Sequence, residues 1–333
     1  MPSSALPVGV IGVYPRSTRH LAQLLIEHPL ADLAYLVAPP SICQTPLFAD
    51  TPQYRLADRG DFSSHLSQAL ADAPSCAVLL LDLPLGLAAH WVPQLLPHHR
   101  IIDLSADYRF NSLAVYQQSY QIERQDHSTA INAVYGLPEW FGELMGAARL
   151  VGCPSSIATA GLLALTPLLK RGLTDPDRII LDVKRGDDRS RQTHQRAPAL
   201  EMETIGGELI GSEIRVQVRS HSVPEPYGLL ATLYTDLRDP GLVSEDLTTI
   251  YRATYRQASW IRVIPHGEPL SPLALSGTNI CHLGVEVDTH TDRAVASVAL
   301  DPYLKGKAGQ AIQCLNRMQG WPEMTGLPQC SYR

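Results

Sequence analysis

Between Cys76 and Leu83 the chain reads CAVLLLDL, a continuous apolar run too short to be a buried helix of ordinary length. A strand without polar alternation offers neither face to water, so it needs helices on both sides, as in the parallel sheets of α/β proteins. The flanking sequence supplies them. Val8–Val13 is a short apolar run, and Arg16–Glu27 follows with leucines at 21, 24 and 25. That is the strand, loop and amphipathic helix that open a βαβ unit. Leu33–Val37 predicts a second strand, Ala88–Leu96 the helix after the apolar run, and Arg100–Leu104 the next strand. A doubly wound parallel sheet of Rossmann type is expected for residues 1–152.

The pattern then changes. Arg178–Lys184, Ile214–Val218, Leu229–Leu237, Gly284–Val287 and Ala294–Leu300 read as strands, several of them alternating. Residues 153–304 are therefore expected to form an α+β domain with a mostly antiparallel sheet. Residues 305–333 carry a long helix, Lys305–Met318, capped by Gly320 and expected to pack back on the first domain.

Composition narrows the classes of function. The 333 residues are 45% hydrophobic, ample for a sizeable core. The formal net charge is −6 and the Lys and Arg residues are scattered, which argues against a nucleic-acid partner. No apolar run approaches the length of about 18 residues that a membrane span needs, and the N-terminus lacks a signal-peptide pattern, so a cytoplasmic protein is expected. Six dispersed cysteines without a C-x-x-C pair indicate neither a disulfide framework nor a metal site.

Chemistry is expected around Leu150–Leu168, LVGCPSSIATAGLLALTPL, which reads as a short strand, a Pro/Ser turn and a helix opening near Ser156 or Thr159. A helix N-terminus presents unpaired N–H groups and favours an anion or an activated nucleophile. The plain alternative is a strand-to-helix connection capped by serine. The first βα loop holds Gly9 and Gly12, but Pro15 stands at the next glycine position and Thr18 at the one after. Proline removes an N–H donor and fixes φ, which makes a poor phosphate cradle. Arg16 reads either as a phosphate contact or as a solvated surface arginine. Asp103–Phe110 and Val134–Glu139 lie just past expected strand ends, where such sheets bind ligands, although structural turns and ion pairs read equally well.

Five blocks, in order, resemble the N-acetyl-γ-glutamyl-phosphate reductase family of the semialdehyde dehydrogenase group. They are IDLSADYRF (Ile102–Phe110), VYGLPE (Val134–Glu139), HSVPEPYGLLATLY (His221–Tyr234), SGTNICHLGV (Ser276–Val285) and ALDPYLKGKAGQAIQCLNRMQGWPEMTGL (Ala299–Leu327). The resemblance implies a dinucleotide-binding domain, a substrate and dimerisation domain, a homodimer or homotetramer, and NADPH-dependent reduction of an acyl phosphate through a cysteine thioester. It places a cofactor at Gly9, Gly12, Arg16, Ser17, Asn279, Lys305 and Gly306. It places a substrate at Ser105, Arg109, Glu139, Thr159 and His221, with the plain reading of His221 being a packing or interface residue.

The departures fall on the reacting groups. The family's N-P-G-C-Y-P-T aligns with Cys153–Thr159, so Ser156 stands in the nucleophile's place beside Ser155, and Cys153 comes three residues early. The family's H-R-H-x-P-E resembles His194–Ala199, which keeps the first histidine and loses the second histidine and the glutamate. The catalytic candidates are therefore Ser156, His194, Ser155 and Cys153. NADP(H) is the implied cofactor, with Pro15 against its binding. The reading favoured here is a diverged member without ordinary reductase activity that keeps an acyl-phosphate or acylamino-acid pocket for non-reductive chemistry or binding. An active reductase, and a regulatory pseudoenzyme that pairs with an active paralogue, are the alternatives.

Overall fold

The computed structural model describes residues 5–43, 53–55, 66–67, 70, 75–124, 126–186, 196–224 and 228–330. The chain divides into two compact units, one of residues 1–116, 122–154 and 307–327, the other of 117–121, 155–306 and 328–333.

The first unit is built on seven strands: β1 (Leu6–Gly12), β2 (Ala31–Ala38), β3 (Gln53–Arg55), β4 (Val78–Asp82), β5 (Arg100–Asp103), β6 (Val134–Tyr135) and β7 (Leu150–Gly152). Their order is β3-β2-β1-β4-β5-β7-β6, and every neighbouring pair is parallel. All five residues of β4 are buried, as a strand without alternation requires. Order reverses between β1 and β4, the switch point where helices leave on opposite faces and a crevice opens at the strands' carboxyl ends. Helix α1 (Pro15–Ile26) follows β1, and α2 (Leu87–Leu95) follows β4.

Val134–Glu139, expected to lie just past a strand end, is instead the short strand β6 and the start of helix α3 (Pro138–Met145). Proline at the first helical position and Glu139 in the first turn favour that start. Near the C-terminus the expected helix is split. A π-helical turn covers Leu304–Ala308, and the regular helix α7 runs from Gly309 to Gln319, ending at Gly320 with φ 71°. The Asp301 carboxylate takes the N–H groups of Tyr303 and Leu304, and the Gly306 N–H returns to the Asp301 carbonyl, which widens the turn. Helix α7 is then seated within the first unit, where Gln310 donates to the Gly136 carbonyl at 2.8 Å. Arg100 gathers the carbonyls of Met145, Gly146, Ala148 and Met318, so one guanidinium closes the ends of both α3 and α7.

The second unit carries a six-stranded mixed sheet in the order β11-β12-β13-β10-β8-β9. Its strands are β8 (Thr174–Gly186), β9 (Val216–Val223), β10 (Leu229–Leu237), β11 (Ile261–Val263), β12 (Cys281–Asp288) and β13 (Arg293–Leu300). The inner pairs are antiparallel and the two outer pairs parallel. Helix α4 (Ser156–Lys170) packs on β8, β10 and β13, and is buried on every side from Ile157 to Leu169. Pro167 inside it has no N–H to give the Leu163 carbonyl; the Tyr255 hydroxyl donates there instead, at 2.6 Å. Two helices that the periodicity did not announce complete the unit, α5 (Ala197–Ile210) and α6 (Ser244–Thr254). Gly161 lets Met202 of α5 close on α4, since a Cβ there would lie 2.4 Å from the Met202 sulfur. Among the described residues no helix is long and apolar enough to cross a membrane.

Candidate functional site

In the second unit the candidate residues gather at the start of α4. Ser155 is the N-cap, in extended backbone, and its hydroxyl accepts the Ala158 N–H at 3.1 Å. The same hydroxyl donates to Glu201 at 2.7 Å, and the Ser155 N–H donates to the other Glu201 oxygen at 3.0 Å. Glu201 comes from α5 and is 1% exposed. A carboxylate thus sits against the positive end of α4, where the dipole favours it. Ser156 follows as the first helical residue, half-buried, with its Cβ against the bare face of Gly306; a Cβ at 306 would come within 2.6 Å of it. Gly306 is held by Asp301, whose carboxylate also takes the Gly277 N–H at 2.8 Å. Lys305 and Asn279 are fully buried in the same unit, and Asn279 donates its N–H to the Pro328 carbonyl. Thr159 is fully buried with a hydroxyl that has no hydrogen-bond partner among the described residues.

The sequence does not point to Glu201, because the glutamate of the resembling motif aligns with Ala199, two residues earlier. The available signal was a proline near a helix start followed by Leu200, Met202 and Ile205, whose burial carries Glu201 inward with them.

In the first unit the crevice lies at the carboxyl ends of β1, β4 and β5. Asp82, the last residue of β4, is fully buried. It accepts from the hydroxyls of Ser17 and Thr18, the latter at 3.1 Å, and its other oxygen meets the Lys307 ammonium at 2.8 Å. The ammonium also lies over the Tyr14 ring, 4.6 Å from the centroid. Burial, then the charges of Asp82 and Asp107, raise the Tyr14 phenol's pKa, against the pull of Arg109. Sequence alone points to neither Asp82 nor Lys307; one hides in an apolar run and the other reads as a surface lysine. Gly9 and Gly12 are already closely covered: a Cβ would lie 2.5 Å from the Tyr35 ring at the first and 2.3 Å from the Thr18 hydroxyl at the second. Arg16 is exposed at the start of α1.

Ser105 is buried and donates to the Asp103 carboxylate at 2.7 Å while accepting the Asp107 N–H. Asp103 ends β5 fully buried. Burial first, and the Asp107 charge second, push its carboxyl up to about 7, against the Ser105 bonds and Arg109. Arg109 donates to the Cys153 carbonyl at 3.0 Å, and Cys153, itself buried, gives its N–H to the Asp103 carbonyl. Glu139 accepts from Gln313 at 3.0 Å. His221 lies exposed on β9, 3.5 Å from Asp182. His194 lies outside the described residues. Ser155, Ser156, Thr159 and Gly306 thus share the second unit, as Gly9, Gly12, Ser17 and Arg109 share the first.

A family model described as the NAD binding domain of semialdehyde dehydrogenase matches residues 7–148, and one described as the semialdehyde dehydrogenase dimerisation domain matches residues 190–302. The N-acetyl-gamma-glutamyl-phosphate reductase of Cyanothece sp. is 41% identical, with 98% of each chain covered. That of a Synechocystis strain is 40% identical, with 98% of this chain and 97% of the relative covered. Among solved structures, aspartate semialdehyde dehydrogenase II of Vibrio cholerae, complexed with ASA, superposes with a TM-score of 0.68 at 15% identity over 95% of this chain and 98% of that one. The Candida albicans enzyme with NADP gives 0.67 at 14% over 95% and 99%. The crossover order of the first sheet, the buried helix of the second unit and full-length identity of this extent agree: the chain belongs to the N-acetyl-gamma-glutamyl-phosphate reductase family of semialdehyde dehydrogenases.

Proposed function

We propose that this chain is a diverged member of the family that binds an acylamino acid or acyl phosphate and does not carry out the nicotinamide-linked reduction. The observation that carries the reading is at the start of α4. Ser156, which the sequence resemblance sets at the nucleophile's position, makes no side-chain hydrogen bond among the described residues, and the neighbouring Ser155 hydroxyl is already given to Glu201. A serine that meets no base among the described residues is a weak nucleophile, and its ester accepts hydride less readily than a thioester. Glu201 already takes the charge of the helix N-terminus, so the buried Thr159 hydroxyl and the half-buried Ser156 hydroxyl are the groups left to meet the polar end of an acyl compound. Self-association through the second unit, as a homodimer or homotetramer, belongs to the same reading and is supported by the description of the matched model as a dimerisation domain.

A second reading is an active reductase, favoured by 41% identity across the whole chain. One experiment separates the two. The protein is mixed with N-acetyl-glutamyl phosphate and NADPH, and phosphate release and NADPH oxidation are followed together. The expected result is saturable binding of the acyl compound by calorimetry, no stoichiometric oxidation of NADPH, and phosphate release unchanged by Ser156→Ala. Stoichiometric oxidation with semialdehyde formation refutes the proposal. Release that falls in the Ser156→Ala variant without NADPH oxidation replaces binding with non-reductive acyl transfer or hydrolysis, with Ser156 as nucleophile and His194 as the candidate base.

A further inference from the structure

The family implies a nicotinamide dinucleotide in the first unit, and the residues present there do not fit one. A pyrophosphate at the first βα crossover needs bare N–H groups on the opening turn of the helix, room beside the glycines, and no fixed negative charge within reach. Each condition fails here for a separate reason. Pro15 begins α1 and has no N–H, so one donor is missing outright. The Thr18 side chain lies against Gly12, which removes the close backbone approach that the glycine would allow. Asp82 places a buried carboxylate at the end of β4, held by the first-turn hydroxyls of Ser17 and Thr18.

Lys307 does not reverse that charge. Its ammonium is 2.8 Å from Asp82 and 4.6 Å above the Tyr14 ring, so it is engaged on both sides. Turning it toward a phosphate would leave Asp82 buried without its cation, which is more costly than leaving the pair intact. Tyr14, Lys307, Asp82 and the two hydroxyls therefore form a continuous strap across the crevice. We infer that the dinucleotide mouth of this chain is closed from within by the Asp82–Lys307 pair, and that the pair occupies the ground a pyrophosphate would take.

The inference is independent of what binds at the start of α4, because it concerns nucleotide affinity alone. The test is titration of the full-length protein with NADPH, NADP⁺ and inorganic pyrophosphate, by NADPH fluorescence and by calorimetry. The expected result is no saturation up to ~1 mM ligand. The charge-neutral double variant Asp82→Ala/Lys307→Ala, with folding checked by its melting curve, is expected to bind NADPH at least about tenfold more tightly, a change of about 1.4 kcal/mol. Should that variant fail to fold, Asp82→Asn/Lys307→Met keeps the side-chain volumes and answers the same question. Micromolar binding of NADPH by the unaltered chain overturns the inference, and so does a folded double variant no tighter than the parent. Nucleotide binding without turnover of an acyl phosphate would overturn this closure and leave the acyl reading standing.

Discussion

Replacing Asp103 with asparagine should change how stability depends on pH. Asp103 has no exposed surface, and burial with the neighbouring Asp107 charge lifts its carboxyl from 3.8 to about 7. An acid raised in this way keeps its proton in the folded chain over a range where the unfolded chain has lost it. The native state then binds more protons, so ΔG of unfolding has a negative slope against pH across that range. The contribution is full below the unfolded value and is lost as pH rises through the folded one. Three pH units between the two at 1.36 kcal/mol each give a total on the order of 4 kcal/mol. Asparagine removes the ionisation with little change of shape. Its oxygen can accept the Ser105 N–H, now 3.0 Å from Oδ1, and its amide can donate to the Ser105 hydroxyl. Groups elsewhere titrate alike in both proteins and cancel in the difference. Urea unfolding of parent and Asp103→Asn between about pH 4 and 8 should therefore show the variant gaining on the parent by up to about 4 kcal/mol as pH rises. Carboxyl-carbon NMR of ¹³C-labelled aspartate should show one resonance titrating near neutrality in the parent and missing from the variant. Parallel pH profiles, or an Asp103 resonance that titrates with the ordinary carboxylates, would refute the reasoning.

Two further outcomes follow from the start of α4. Glu201→Ala leaves the Ser155 N–H and hydroxyl without their buried acceptor and should destabilise the chain by about 3 kcal/mol, whereas Ser155→Ala should cost about 1 kcal/mol. The double variant should cost less than the sum, because the two residues share one contact; additive losses in chemical denaturation would show that they do not. Ser156→Cys should yield a thiol that alkylates with a midpoint about one pH unit below the ordinary 8.5, through the helix N-terminus. Glu201→Gln in that background should lower the midpoint again by removing a nearby negative charge; an iodoacetamide rate profile with its midpoint at or above 8.5 would contradict both.

Much of the fold was legible because its strands follow from pattern. The unbroken apolar run gave a buried parallel strand, and Leu229–Leu237 appears with the bounds that its alternation indicated. The helices α5 and α6 were missed for physical reasons. Helix α5 is buried along one end and carries Glu201 there, so its apolar face is interrupted. Helix α6 is capped through the Asp246 side chain reaching back to the Val243 N–H, a start that apolar periodicity does not register. The site was legible only in part. Ser155 and Ser156 are visible as a departure at a helix start, but their environment depends on Glu201 and Gly306, far away in sequence. Asp82 was hidden because an acid at the end of an apolar strand looks like a boundary, and nothing local says that it is fully buried and paired with Lys307.

The members of the first-unit strap make sense only together. A fully buried Asp82 without Lys307 would be an uncompensated charge at a strand end, a change that typically costs several kcal/mol. Lys307 without Asp82 would lose its partner, and its ammonium would stand before the opening turn of α1, whose positive end repels it. Glycine in place of Thr18 would take one hydroxyl from the Asp82 carboxylate and leave the lysine and Ser17 to neutralise it. Proline at 15 fits the same pattern, because an N–H with no phosphate to meet would need another acceptor, and proline has none to satisfy. On the closure inferred above, lysine, aspartate, threonine and proline at these four positions solve one problem: how to finish the crossover of a doubly wound sheet without an anion. The framework around them needs no adjustment, since Arg100 still closes the ends of α3 and α7 and β4 stays covered on both faces. Likeness across the whole chain speaks for the family and its framework, and NADPH titration of the parent and of the Asp82/Lys307 double variant decides whether the crevice has been exchanged.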